Sequence, residues 1–154
     1  MRGMMMTLTI AALLSAVSER SFAHCEIPCG IYGDELRFSM IQEDIITIEK
    51  SMKKIVELAG DPAQANQVAR WVLNKEHHSD HIREIVAQYF MTQRIKLPDE
   101  SVADVKAYRD KLVLLHKMLV YAMKSKQTTD TANTKMLHET AHAFEALYSN
   151  SFSE

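Results

Sequence analysis

A chain of 154 residues with 47% hydrophobic side chains, four Gly and three Pro is one domain's worth, long enough to bury a core. Its 18 basic and 20 acidic residues leave a formal charge of −2, which argues against nucleic-acid binding, since that needs a basic patch. The absence of internal repeats and of long Ser/Gly tracts argues against a solenoid or a disordered chain.

Residues 1–23 read as an export signal. Arg2 gives a basic start, residues 7–17 form the apolar run TLTIAALLSAV, and Ser21-Phe22-Ala23 is an A-x-A-like cleavage site. The run is shorter than the roughly 20 apolar residues that span a bilayer. A lipoprotein signal needs cysteine directly after the cut, and here His24 stands between Ala23 and Cys25. Cleavage removes Arg2, Arg20 and Glu19, takes the formal charge to −3 and makes His24 the amino terminus. A periplasmic or secreted protein is expected, free of the membrane once the leader is gone. The other reading is a cytoplasmic pro-sequence removed by a dedicated maturation peptidase, and it yields the same terminus.

Residues 24–33 form an irregular hook, His24-Cys25-Glu26-Ile27-Pro28-Cys29-Gly30-Ile31-Tyr32-Gly33, holding both cysteines of the chain. After the cut this end offers an α-amine, an imidazole, a backbone amide and two thiols within six residues. Amine, amide and two thiolates can close a square-planar N₂S₂ set, a geometry characteristic of Ni(II) or Cu(II), whereas zinc prefers a tetrahedron. Two thiolates tend to reduce Cu(II), so nickel is the better match, with the His24 imidazole able to swing in as a fifth ligand. Ile27-Pro28 is a candidate cis bond that would turn Cys29 towards Cys25, and Gly30 can take positive φ. Cysteine count alone would favour a Cys25-Cys29 disulfide in an exported protein.

Residues 34–154 carry helical periodicity throughout. Asp34 is a candidate N-cap, followed by Ile41, Ile45, Ile48, Met52, Ile55 and Ala59 at alternating spacings of four and three. Gly60 suits a C′ position, and Asp61-Pro62 supplies the next N-cap and N1 residues. A second helix is expected from about 63 to 91, with Val68, Val72, Ile82, Ile85 and Tyr89 inward. Pro98 breaks it, and Asp99 or Ser101 can cap a third helix carrying Val105, Tyr108, Leu112, Leu115, Leu119 and Ala122. Leu137, Ala141, Phe144 and Tyr148 mark a fourth. No segment alternates like a strand, so the fold class is all-α: an antiparallel, up-down-up-down four-helix bundle behind the hook. The pairs His77/His81 and His138/His142 have i, i+4 spacing, and a solvated face is the expected reading for both. Met52 and Met118 read as core filler.

The pattern H-C-x-x-P-C-G-x-Y behind a removable leader resembles the nickel-binding hook of nickel-containing superoxide dismutases. Arg70-Trp71-Val72-Leu73-Asn74-Lys75-Glu76 and Gln88-Tyr89-Phe90 resemble that family's second-helix segment, and Glu26 stands where the family often has Asp. The resemblance implies one nickel ion per chain, held by His24, Cys25 and Cys29, with Pro28 and Gly30 shaping the turn. It also implies Tyr32 as a gating tyrosine, Tyr89 as a second site-facing one, superoxide as substrate and a homohexamer. Glu43 is the candidate acid for holding the axial imidazole, and His78 stands near the place where the family carries an Arg for the same task. Two alternatives stay open on the residues: a nickel or copper carrier without turnover, and a secreted bundle closed by a disulfide.

Overall fold

The computed structural model describes residues 33–98 and 101–149. The leader and residues 24–32 of the hook lie outside them. The described residues form four helices and no strand: α1 (Asp34–Leu58), α2 (Ala65–Glu84), α3 (Val102–Gln127) and α4 (Ala132–Ser149). A π-helical stretch, Ile85–Arg94, continues α2 without a break. Helix α1 packs on α2 and α4, and α3 packs on the same two, so the four surround a single core as a four-helix bundle. No described helix is long and apolar enough to cross a membrane.

Local chemistry explains most of the boundaries. Asp61 accepts from the Ala63 amide at 2.9 Å and Pro62 opens a 3₁₀ turn, Pro62–Gln64, so α2 follows α1 after a tight reversal. Ser101 accepts from the Asp104 amide at 3.2 Å and starts α3. Gly60 holds the C′ place after α1 without positive φ, so α1 does not end in the left-handed cap its glycine suggests.

The core follows the apolar stripes, with three departures, the first being that the α1 stripe stops at Met52, with Ile55 half-buried and Ala59 exposed. Ile41, Ile45, Ile48 and Met52 of α1 are buried, as are Leu137, Ala141, Phe144 and Tyr148 of α4. On α2 the inward stripe begins late: Val72 is exposed, and Lys75 and Ser79 are buried beside Ile82. Helix α3 ends against this part of α2, and its last carbonyls have no partner within the helix. The Lys75 ammonium supplies them, donating to the carbonyls of Ser125 at 3.0 Å, Lys126, and Thr128 at 3.4 Å. On α3 the expected Val105, Tyr108 and Leu112 are only half-buried, and the buried stripe is Leu115, Met118, Ala122 and Ser125. Helix α3 has 26 residues against 18 in α4, so α4 cannot cover its whole length.

One end of the core is aromatic. Phe38 of α1 lies 4.9 Å from Phe90, which lies 5.0 Å from Phe144 and 5.5 Å from Tyr148, ring centre to ring centre. Such pairs add about 0.5–1.5 kcal/mol each beyond their buried area. This is the end from which the hook departs.

Candidate functional site

The chain enters α1 through Gly33, with φ 77° and ψ 153°. That is backbone a Cβ disfavours, and it is the only positive φ among the described residues. Directly after this twist Asp34 turns its side chain inward. Asp34 is therefore the first helical residue rather than the N-cap, and its carboxylate makes tertiary bonds instead of local ones.

Three side chains converge on that carboxylate. Tyr89 donates its hydroxyl to Oδ1, while Tyr148 and the Arg94 Nη2 each reach Oδ2 at 2.7 Å. Arg94 Nε also donates to the Tyr148 hydroxyl at 3.0 Å. The π-helical stretch makes this possible. Residues five apart diverge in an α-helix, but the wider i→i+5 turn returns them to one side, and Tyr89 and Arg94 are five apart. Burial acts to raise the Asp34 carboxyl, but the hydrogen bonds from Arg94, Tyr89 and Tyr148 outweigh it and hold the group below its ordinary value. Burial and the facing carboxylate push the Tyr89 phenol up to about 12, and the same causes raise Tyr148. Arg37 places its guanidinium 5.0 Å over the Tyr89 ring. Both tyrosines are thus held as neutral donors at the root of the hook.

A second cluster lies further along the bundle. Asp44 is buried and takes His78 Nδ1 on Oδ1 at 2.6 Å and His81 Nδ1 on Oδ2 at 2.8 Å. A carboxylate only accepts, so on Asp44 both Nδ1 atoms are the donors. Glu43, the acid expected to hold the axial imidazole, is exposed, and its intended partner His24 lies outside the described residues. A helix turns about 100° per residue, and that rotation carries Asp44, not Glu43, to the side facing α2. The paired histidines are His78 and His81, while His77 is exposed. The sequence signal for this cluster was a single carboxylate inside the apolar stripe, directly before Ile45.

His24, Cys25, Cys29 and Tyr32 lie outside the described residues. Tyr89 is buried in the aromatic end with its hydroxyl on Asp34, so the structure joins it to the first turn of α1 rather than leaving it as a purely apolar contact. Among the described residues no group of three or more His, Cys, Asp or Glu side chains is placed to hold a metal ion.

Against this geometry, the profile of nickel-containing superoxide dismutase matches residues 19–151, most of the chain. The chain belongs to that family. No curated protein and no solved structure matches it. The enzyme is accordingly a nickel-dependent oxidoreductase that disproportionates superoxide to dioxygen and hydrogen peroxide. The matched residues include the hook and begin after the apolar run of the leader.

Proposed function

We propose that His24, Cys25 and Cys29 hold one nickel ion per chain at an amino terminus created by cleavage after Ala23. The observation that carries this is the uninterrupted H-C-x-x-P-C-G-x-Y pattern inside the residues matched to the family. The donor set fits the ion: thiolate sulfurs and strongly donating terminal nitrogens suit nickel, and such ligands bind only when deprotonated. Bound there, nickel supplies a one-electron couple between its divalent and trivalent states. The His24 imidazole hangs from the residue that gives the amine and serves as the additional ligand. Tyr32, one residue before the Gly33 twist, serves as hydrogen-bond donor and steric gate. Two superoxide anions and two protons give one dioxygen and one hydrogen peroxide, so the site also needs groups that hand over protons.

The anchored Asp34 supports the same reading, because a hook rooted on Tyr89, Tyr148 and Arg94 starts from a fixed point. The three-part pattern of residues 1–23 supports export to the periplasm or beyond; a maturation peptidase acting in the cytoplasm would leave the same terminus. Exposed apolar side chains at Ile46, Val56, Leu73 and Val113 supply surface for self-association, in keeping with a homohexamer. Light scattering on the mature protein tests the assembly, and a monomer at working concentration would overturn it.

The central test is intact mass with metal content, followed by superoxide consumption on the same sample. A chain beginning at His24 with one nickel and turnover is the expected result. A chain two hydrogens lighter, metal-free and inactive would show the disulfide-closed bundle instead. His24→Ala keeps the amine, so it should cut turnover while leaving most of the nickel bound. Full turnover in that variant would remove the imidazole from the mechanism.

A further inference from the structure

The outer face of α4 carries a pair of imidazoles that the reaction does not use. Ala141 faces the core, so His138 and His142 project outward, and both are exposed. Their Nε2 atoms face each other at 3.2 Å, with the rings nearly perpendicular at 76°. At this distance the two rings share either a hydrogen, one Nε2–H donating to the other's lone pair, or a metal ion held by both lone pairs. With metal–nitrogen bonds of roughly 2.0–2.1 Å, a 3.2 Å separation subtends roughly 100° at the ion, within the range of adjacent ligands in tetrahedral or square coordination. The far side of the pair is prepared as well. The Glu145 carboxylate lies 3.6 Å from His142 Nδ1, one turn on, too far for a hydrogen bond but near enough to set a negative charge beside the pair.

We propose that His138 and His142 form a second metal site, separate from the hook, that takes one borderline divalent ion such as Ni²⁺, Zn²⁺ or Cu²⁺, with water filling the remaining positions. Imidazole nitrogen selects these ions over Mg²⁺ and Ca²⁺, which take oxygen. Two protein ligands make it a weak, exchangeable holding site rather than a structural one. His138 also borders a groove between α1 and α4 that contains Glu49 and Asp130 as well as Lys135. Neither the pair nor the groove includes a residue of the hook, so this site stands or falls independently of the ligands proposed there.

The test uses the mature, nickel-loaded enzyme, titrated with nickel chloride under equilibrium dialysis and counted by elemental analysis. The wild type should take up one further nickel per chain, and His138→Ala/His142→Ala should take up none while keeping the hook metal and its helical content. His142→Ala alone should weaken the added ion by about tenfold or more, and Glu145→Gln by less. Cu²⁺ offered to the same samples gives an independent readout, because coupling to two imidazole nitrogens should appear in its electron paramagnetic resonance spectrum and vanish in the double variant. No second ion in the wild type at roughly millimolar nickel, or equal uptake by the double variant, would overturn the site.

Discussion

Asp34 shows how much one side chain decides at the start of this fold. Its side chain is 19% exposed and carries a charge that Arg94, Tyr89 and Tyr148 neutralise or bond. Hydrogen bonds to charged groups are worth about 1.5–3 kcal/mol, so Asp34→Asn should lose about 2 kcal/mol of stability at neutral pH, read from urea midpoints. The pH dependence follows from the lowered carboxyl value. A depressed acid stabilises the fold above its unfolded value, near 3.8, and the contribution disappears as pH falls through the lower folded value. The gap between wild type and Asp34→Asn should therefore stay constant above about pH 5 and close in stronger acid. Tyr89 gives the opposite sign. Its folded value is raised from 10.0 to about 12, so its stabilisation holds below pH 10 and is lost as pH rises through the folded value. Gly33 is the other decisive residue. A Cβ there would meet nothing within 4 Å, so any cost of Gly33→Ala is backbone strain and not collision. That strain should be about 1–3 kcal/mol, and relief of it by a changed hook exit would appear as lost activity with little lost stability.

At the scale of elements, sequence and structure part company where tertiary demands override a local pattern. The stripes of α1 and α4, the Asp61-Pro62 reversal and the Ser101 cap were all readable, because each depends on residues within one or two turns. The π-helical stretch was not readable as such. Its trace in the sequence is a run of inward doublets, Ile85 with Val86 and Tyr89 with Phe90, where an α-helical stripe would alternate. Nor does periodicity announce that Lys75 turns in while Val72 stays out, since the reason lies fifty residues away in the open carbonyls of α3. Lys75→Met keeps the volume and removes the donor. It should destabilise by about 2–3 kcal/mol and loosen the end of α3, seen as faster amide exchange around residues 122–127 than in the wild type. Unchanged exchange there would mean that water can replace the ammonium. The Asp44 cluster was half readable in the same way: the histidines were visible, but their carboxylate partner required knowing which side of α1 faces α2.

For the whole molecule, the division of labour between hook and bundle sets what metal removal can do. The described residues close a core among themselves, from Phe38 to Tyr148. The chemistry was readable from nine consecutive residues because a chelating terminus needs only local donors, whereas its support is spread over α1, the π-helical stretch and α4. Stability and metal binding should therefore separate cleanly. Cys25→Ser/Cys29→Ser should lose nickel and superoxide turnover together, yet unfold at the same temperature as metal-free wild type. Loaded wild type should melt higher than either, because an ion bound only by the folded chain adds RT ln(1 + [L]/Kd), about 2.7 kcal/mol when the free ion is a hundred times Kd. A large drop in melting temperature for the cysteine variant relative to metal-free wild type would instead mean that the hook packs into the bundle as part of its core. The reverse separation belongs to the aromatic end. Phe90→Ala should cost about 3–5 kcal/mol of stability, since Phe90 is fully buried between Phe38 and Phe144. Activity in the folded fraction should fall as well, because Phe90 sits beside Tyr89 and the anchor of Asp34 cannot hold its place when the ring beneath it is gone.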